Sequence, residues 1–559
     1  MSAPPKTLVG WLRERAARHG NRVNARYGFP GRPDETLTFA ELERASRRYA
    51  ALFARAGVRR GDAVVILLDH GVDLMPAFHG AQWIGAIPAF LQVPTARVKF
   101  EYYVHDLAPL LERMKPRAIL LSPELRGSLG DKLPKDARLC IPGDVRADEL
   151  AGEPADADPE DTCVVQFSSG STGRRKGTAL SHRAIVNEIQ SFAEHFRLGE
   201  TDHIAAWLPL YHDWGLILVT LASVVLGCEY TLLAPADWIG NPVSIFQRIS
   251  KHRATCHWLP NFAFNYSAKR IRDEDLEGLD LSCLRAVTNG AEPTFHESHE
   301  MFLRRFERAG LKREALGIVY GMAEVVCVVV AVGGVGNAPI VADAIDRKIL
   351  LEDQRAVPVA ADHPNVQRVL STGRCLRGTE LRIVDEHFRD VPDRVVGQVL
   401  FRSNAFMNGY YLNPEATAAC VRDGWYVTGD LGYRVNGLFH FTGRKKDLII
   451  IGGTNLYPQD VEEIVFRHPA VVAGRAVALG VDDLERGTQK LIVIAETRDD
   501  DAESRRDVVR TVRREVQARI GVSVDHIYFA PARWLLKTPS GKIARQPNLQ
   551  RLHELGDAT

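Results

Sequence analysis

Apolar residues recur at helical spacing over residues 8–19. They recur again over residues 39–56, where Leu42, Ala45, Tyr49, Leu52 and Phe53 share one face. A hairpin-like stretch lies between these two predicted helices. The pattern then changes. Ala63-Val-Val-Ile-Leu-Leu68 is apolar throughout, as expected of a strand buried on both faces. A helix over residues 75–84 and strands over 86–91 and 118–121 follow. Strands alternating with helices predict α/β architecture. The longest apolar stretch, residues 216–226, is interrupted by Thr220 and Ser223 and is too short to span a bilayer, so it reads as a buried helix.

Later periodicity is weaker. Leu284-Arg-Ala-Val-Thr-Asn-Gly-Ala-Glu-Pro293 and Ile318-Val-Tyr-Gly-Met-Ala-Glu324 read as strands ending in acidic turns. Residues 334–370 look like an excursion from the core. Strands over 382–384 and 398–401 belong to a smaller β unit. Gly443-Arg-Lys-Lys-Asp447 is a polar hinge. Beyond it, segments 448–451, 458–467, 471–479, 490–496, 503–520 and 527–530 read β-α-β-β-α-β, a small α+β domain. The fold expected is therefore α/β, with a large N-terminal domain (1–443) of layered α/β subdomains plus a β subunit, a hinge at 444–447, and a small C-terminal domain (448–559).

Bulk properties narrow the function classes. At 559 residues with net charge +1, nothing marks the chain as a whole for nucleic acid or a membrane surface. The eight cysteines form no Cys-x-x-Cys pair and read as buried free thiols. The first residues, Met-Ser-Ala-Pro-Pro-Lys, lack the apolar core of a signal peptide, so a cytoplasmic enzyme is expected.

The candidate chemistry begins at Gln166-Phe-Ser-Ser-Gly-Ser-Thr-Gly-Arg-Arg-Lys-Gly177. A predicted strand leads in, and Ser181 is placed to cap a helix starting near Ala184. Glycines, hydroxyls and three cations between them suit a polyphosphate. The Walker A order is absent, since Gly177 follows Lys176. Ligands in open α/β sheets sit at the carboxyl ends of strands, which places Glu292 and Glu324 for binding. A carboxylate before an apolar run such as Val325-Val-Cys-Val-Val-Val330 fits a magnesium ion shared with phosphate oxygens. Tyr211-His-Asp-Trp-Gly215 can line a cleft. Asp430, in Tyr426-Val-Thr-Gly-Asp430, offers two acceptors to sugar hydroxyls. Lys542 sits on a Pro/Gly loop that can carry a cation into another domain's cleft.

Together these segments resemble the adenylate-forming superfamily of acyl-CoA synthetases, luciferases, peptide-synthetase adenylation domains and fatty-acyl-AMP ligases. The matching motifs are Ser168-Ser-Gly-Ser-Thr-Gly-Arg-Arg-Lys-Gly177, Tyr320-Gly-Met-Ala-Glu324, Tyr426-Val-Thr-Gly-Asp430, Gly443-Arg-Lys-Lys-Asp447 and Pro539-Ser-Gly-Lys542. Leu208-Pro-Leu-Tyr-His-Asp-Trp-Gly-Leu-Ile217, Asn289-Gly-Ala-Glu-Pro293, Ala323, Asn455-Leu-Tyr-Pro-Gln-Asp460 and the excursion near 340–362 are most similar to fatty-acyl-AMP ligases. Arg175, Trp214 and Thr454 depart from that group's usual Pro, Met and Arg. They bear on the loop, the pocket size and the carrier interface.

The resemblance implies ATP-dependent activation of a carboxylic acid, in that group a fatty acid, to acyl-AMP with release of pyrophosphate. It implies transfer to the phosphopantetheine thiol of an acyl carrier protein, or alternatively to free CoA. Ser168, Ser169, Gly170, Ser171, Thr172, Gly173 and Lys176 would cradle phosphates. Asn289, Gly290, Ala291, Glu292, Tyr320, Gly321, Met322 and Ala323 would face the nucleotide. Asp430 would take the ribose hydroxyls with Arg444 in support. Glu324 would hold Mg²⁺. Trp214 and Gly215 would border the acyl pocket, and His212 beside them would be catalytic with Glu324 and Lys542. Lys446 would be the hinge, and Lys542 would reach the carboxylate and α-phosphate. The helix over 503–520 buries a predicted stripe of Val508, Val509, Val512, Val516 and Ile520. It turns Arg510 and Arg514 outward, with Arg505 and Arg506 one turn earlier, as a face for an acidic carrier.

Overall fold

The structure is a computed structural model that describes residues 4–94, 100–167, 176–451, 454–483, 488–498, 501–538 and 541–554. The phosphate-loop residues Ser168 to Gly173 lie outside the described residues.

The predicted α/β layering is present. Among the described residues a nine-stranded sheet runs Arg374–Cys375, Val330–Gly333, Leu316–Tyr320, Ala286–Gly290, Cys256–Pro260, His203–Ala206, Glu229–Leu233, Val23–Phe29, Arg32–Thr38. Its middle is parallel, from Leu316–Tyr320 across to Val23–Phe29, and its edges are antiparallel. Helices cover both faces. One face packs the Leu8–His19, Phe39–Arg55 and His182–Phe196 helices, and the other the Val243–His252, Asn261–Arg270 and His296–Phe306 helices. Ala63–Leu67 lies at the centre of a second, all-parallel sheet with Ile87–Phe90, Ala118–Leu121 and Arg138–Cys140. All five of its residues are buried, which explains the unbroken apolar run. Thr38 closes a capping box with Glu41 at the start of Phe39–Arg55, fixing that boundary.

The stretch expected to be one buried helix is helical from Asp213 to Leu226, but Leu216–Leu221 is wound as a π-helix. The eight cysteines are free, as expected; Cys283, Cys375 and Cys420, however, are partly exposed. No helix of the described residues is long and apolar enough to cross a membrane.

A separate antiparallel β unit is built from Thr379–Val384, Gly397–Ser403, Val421–Arg422, Trp425–Val435 and Leu438–Arg444. After it, the short turn Lys445–Asp447 leads into the small domain. There Val471–Asp483, Thr488–Thr497 and His526–Ala530 form a sheet, flanked by the Pro458–Arg467 and Ala502–Ile520 helices. Pro458 occupies the first turn of its helix, where its missing N–H costs nothing. In this domain the sequence analysis misses two elements, the Thr454–Leu456 strand and the Arg545–Glu554 helix.

The excursion is an ordered hairpin, Ala342–Asp346 with Val366–Leu370, linked through the helix Arg347–Asp353. It does have a core, shared with the small domain: Ile345, Leu350, Leu351 and Ala356 are packed in one cluster with Leu456, Tyr457, Val461 and Val465. At this seam Gln367 donates to Asp460 Oδ1 at 3.2 Å, while Oδ2 is buried without a hydrogen bond. Burial pushes the Asp460 carboxyl up to about 7, against the pull of nearby Arg347. A carboxyl raised in the folded state stabilises it fully below the unfolded value, near pH 4. That contribution is lost as the pH rises through 7. Asp460→Asn is therefore expected to raise the melting temperature at pH 8.5 and to raise it only about a third as much at pH 5, one unit into the window. The underlying difference is up to about 4 kcal/mol. Calorimetry at the two pH values checks this; equal shifts at both would contradict it.

Candidate functional site

The site forms where the carboxyl ends of the parallel strands meet the β unit and the small domain. Asp430 lies on Trp425–Val435, directly across the antiparallel pair from Arg444. Arg444 Nε stands 2.9 Å from Asp430 Oδ1, and Tyr320, at the end of its strand, donates its hydroxyl to Oδ2 at 2.5 Å. Asp430 is 2% exposed, a position that a carboxylate tolerates only when paired. Burial, then Asp430, push the Tyr320 phenol well above its ordinary value, and Asp430 does the same to the Arg444 guanidinium. Oδ1 feels the charge of Arg444 but has no aligned hydrogen bond, so it can still accept hydroxyl donors.

A second group surrounds Glu324, on the one-turn helix Ala323–Val325. Tyr410 donates its hydroxyl to Glu324 Oε1 at 2.6 Å, and Lys176 Nζ lies 4.6 Å from the centre of the Tyr410 ring. Tyr410 comes from the short strand Gly409–Tyr410, which pairs with Gly177–Ser181 directly behind the phosphate loop. Among the described residues no group of three or more His, Cys, Asp or Glu side chains is arranged to hold a metal. A single carboxylate beside a phosphate loop suits Mg²⁺, which takes most of its ligands from phosphate oxygens and water. Sequence reasoning missed Tyr410 because a two-residue strand carries no periodicity.

Lys542 enters from the small domain. Its turn is closed by Thr538 N–H to the Lys542 carbonyl at 2.7 Å and by Gly541 N–H to the Thr538 carbonyl at 2.8 Å. Gly541 adopts φ +87°, a conformation that disfavours any side chain. The charges that act on its ammonium are those of Arg444, Asp213, Glu292 and Asp430, all of which precede the Lys445–Asp447 turn. Burial and Arg444 hold it below the ordinary lysine range while the three carboxylates pull the other way. The structure thus gathers charges from residues 213 to 444 around one cation at position 542.

The remaining candidates border this space. His212 Nδ1 is 2.6 Å from Asp213 Oδ1, and Trp214 N–H donates to the same oxygen at 2.7 Å. Burial raises the Asp213 carboxyl, but His212 and Lys542 outweigh it and hold it below its ordinary value. Trp214 is 3% exposed, and its indole edge lies 3.4 Å from where a Cβ would stand on Gly290, so it narrows the cleft there. Glu292 accepts the Phe262 N–H, and burial raises its carboxyl. The Asn289 side chain is placed differently from the expectation that it faces a nucleotide. It is fully buried and donates to Asn261 Oδ1 at 2.9 Å with His299 Nε2 at 3.0 Å, bracing the strand end; the backbone of Gly290 and Ala291 (φ +67°) then turns past the site. Lys446 is exposed on the hinge turn, whose Asp447 lies 3.8 Å from Arg545. Arg545 also grips Glu462 through two contacts of 2.8 and 2.6 Å.

A buried carboxylate met by Tyr320 and Arg444, a second carboxylate bonded by Tyr410, and a lysine contributed by the small domain thus border one space. Residues 12–411 match the family model described as AMP-binding enzyme. The chain belongs to the AMP-binding enzyme family. Among its relatives is the long-chain-fatty-acid–AMP ligase FadD26 of Mycobacterium marinum, 30% identical over 93% of this chain and 92% of that protein. A 4-hydroxyphenylalkanoate adenylyltransferase of Mycobacterium tuberculosis is 29% identical over 98% of this chain and 91% of its own length. A solved structure from a study of fatty acyl-adenylate ligases from E. coli and L. pneumophila superposes with a TM-score of 0.89 at 27% identity, covering 99% of both chains. The AMP-binding match ends before Asp430 and Lys542, so those roles rest on the geometry above.

Proposed function

We propose that this enzyme activates a fatty acid to acyl-AMP and passes the acyl group to the phosphopantetheine thiol of an acyl carrier protein. The observation that carries this reading is Lys542, brought from the small domain into the space framed by Asp213, Glu292, Arg444 and Asp430. In the first half-reaction a carboxylate oxygen of the acid attacks the α-phosphorus of ATP in line. The bond to pyrophosphate breaks, and pyrophosphate leaves with its electron pair. The Lys542 ammonium neutralises charge that builds on the carboxylate and α-phosphate oxygens, in a site where few waters compete. Asp430 holds the ribose hydroxyls, and Arg444, 2.9 Å from Oδ1, helps to orient it. Lys176 stands beside the leaving phosphates. A Mg²⁺ bound at Glu324 would add charge neutralisation on the phosphate oxygens. In the second half-reaction the small domain turns about Lys446 and withdraws Lys542. A thiolate then attacks the acyl carbonyl, and AMP departs.

The carrier as acceptor is supported by the excursion and by the named AMP ligases among the relatives. The arginine helix supports it less than its sequence suggests. Arg510 is paired with Asp507 at 2.6 Å and Arg514 with Glu515 at 3.3 Å, and Val509 is only half-buried. Reversing Arg510 and Arg514 to glutamate is expected to slow carrier loading several-fold at low salt, less at high salt, with acyl-AMP formation unchanged. The deciding experiment offers CoA and a carrier protein in competition across an acid panel and reads products by mass spectrometry. Free CoA loaded at least as well as any carrier would favour the acyl-CoA synthetase reading instead.

A further inference from the structure

We propose that Glu188 is a positioning residue for the turn that presents Glu324, tying that turn to the helix that follows the phosphate loop. This inference rests on the reading of Glu324 as the magnesium carboxylate.

Glu188 lies on the His182–Phe196 helix, which begins directly after the Gly177–Ser181 strand and is capped by Ser181. Its side chain takes no part in the chemistry described above, yet it is 2% exposed. Its Oε1 accepts the backbone N–H of Val328 at 2.7 Å.

The segment it grips is unusual. The chain leaves the sheet at Tyr320, forms the Ala323–Val325 turn and returns to pair Val329 N–H with the Tyr320 carbonyl at 2.9 Å. The two arms approach so closely that a Cβ on Gly321 would stand 1.8 Å from the Cys327 carbonyl oxygen. Val326 reverses the chain at φ +68° and ψ −60°, with Cys327 N–H bonded to the Val325 carbonyl at 2.9 Å. A β-branched residue in that region stores roughly 1–3 kcal/mol of strain and persists where its surroundings hold it.

The Glu188 bond supplies one such hold, two residues past the reversal and four past Glu324. It runs from the helix whose preceding strand pairs with the Tyr410 segment, so the phosphate-loop hairpin, Tyr410 and Glu324 are held as one unit. Burial, and then Asp213, push the Glu188 carboxyl well above its ordinary value against the Val328 N–H. Its service is therefore that of a hydrogen-bond acceptor rather than of a charge. An amide oxygen can perform it, whereas an aliphatic side chain leaves a buried N–H unpaired.

The test compares Glu188→Gln with Glu188→Leu in the full-length enzyme. The leucine enzyme is expected to raise the magnesium KM of acyl-AMP formation roughly 10-fold, with the acid KM unchanged. Mn²⁺ binding to its complex with a non-hydrolysable ATP analogue, followed by EPR, should weaken by the same factor. Amide exchange in peptides spanning 321–329 should quicken. The glutamine enzyme should match wild type in all three. Should Glu188→Leu not fold, Glu188→Met gives the same comparison with an unbranched side chain close to glutamate in length. A folded leucine or methionine enzyme with wild-type magnesium dependence and exchange overturns the inference. So does a glutamine enzyme as impaired as the leucine one. Glu324→Gln serves as the control: if it leaves the magnesium requirement unchanged, the metal reading of Glu324 fails, and the exchange data alone then judge the Glu188 tether.

Discussion

Lys542→Ala is expected to lower acyl-AMP formation by about 10²–10³-fold, the usual loss when one donor to a developing charge is removed. The ammonium lies in a space it shares with Arg444, Asp213, Glu292 and Asp430. Alanine leaves the three carboxylates facing an incoming anionic acid with one cation fewer. The fold should tolerate the change. Lys542 is held below the ordinary lysine range by burial and Arg444, so its charge is not what stabilises the turn. Thr538 and Gly541 close that turn through the backbone. Acyl transfer from supplied acyl-AMP should change several-fold at most, because in the proposed cycle Lys542 is withdrawn before that step. Acid-dependent pyrophosphate exchange reads the first effect and single-turnover thiol loading the second. Equal losses in the two would overturn the assignment.

Asp430→Ala is expected to raise the KM for ATP by at least about 10-fold and to lower the melting temperature. Two causes act together. The ribose hydroxyls lose their acceptor. Tyr320 and Arg444 also lose the partner on which both converge; the Arg444 side chain is 44% exposed and water can take over its charge, so the cost falls mainly on the Tyr320 hydroxyl left unpaired, on the order of 1–3 kcal/mol. Asp430→Asn separates the two, since an amide oxygen still accepts from Tyr320 while the charge facing Arg444 is gone. The asparagine enzyme should recover more of the melting temperature than of the ATP affinity. The KM for the acid should move little in either variant. An unchanged KM for ATP in the alanine enzyme would show that the ribose binds elsewhere.

Much of this site was legible in the sequence because its residues sit at punctuation. Asp430 follows a glycine, Lys542 a Pro-Ser-Gly run, and Glu324 the end of an apolar strand. Residue types that polyphosphate chemistry requires stand out at such positions. Helices with strong periodicity, such as Leu8–His19, were predicted to the residue. What escaped is whatever depends on partners distant in the chain. Glu188 looks like one more charged residue on a helix until Val328 is found 140 positions away. Tyr410 is invisible without the strand it joins. Arg510 and Arg514 looked like a free basic face because acidic neighbours within one turn are hard to score without rotamers. The excursion looked coreless because its apolar residues complete their core with another domain.

That shared core has a thermal consequence. For the small domain to turn away, Ile345, Leu350 and Leu351 must part from Tyr457 and Val461. Wetting such aliphatic surface carries a large positive heat capacity, so the balance between docked and released small domain is curved in temperature rather than fixed. Apolar association weakens on cooling. On the proposed cycle, cooling would loosen the seam and take Lys542 away from the acid for more of the time, so chilling is expected to slow the making of acyl-AMP before it slows its use.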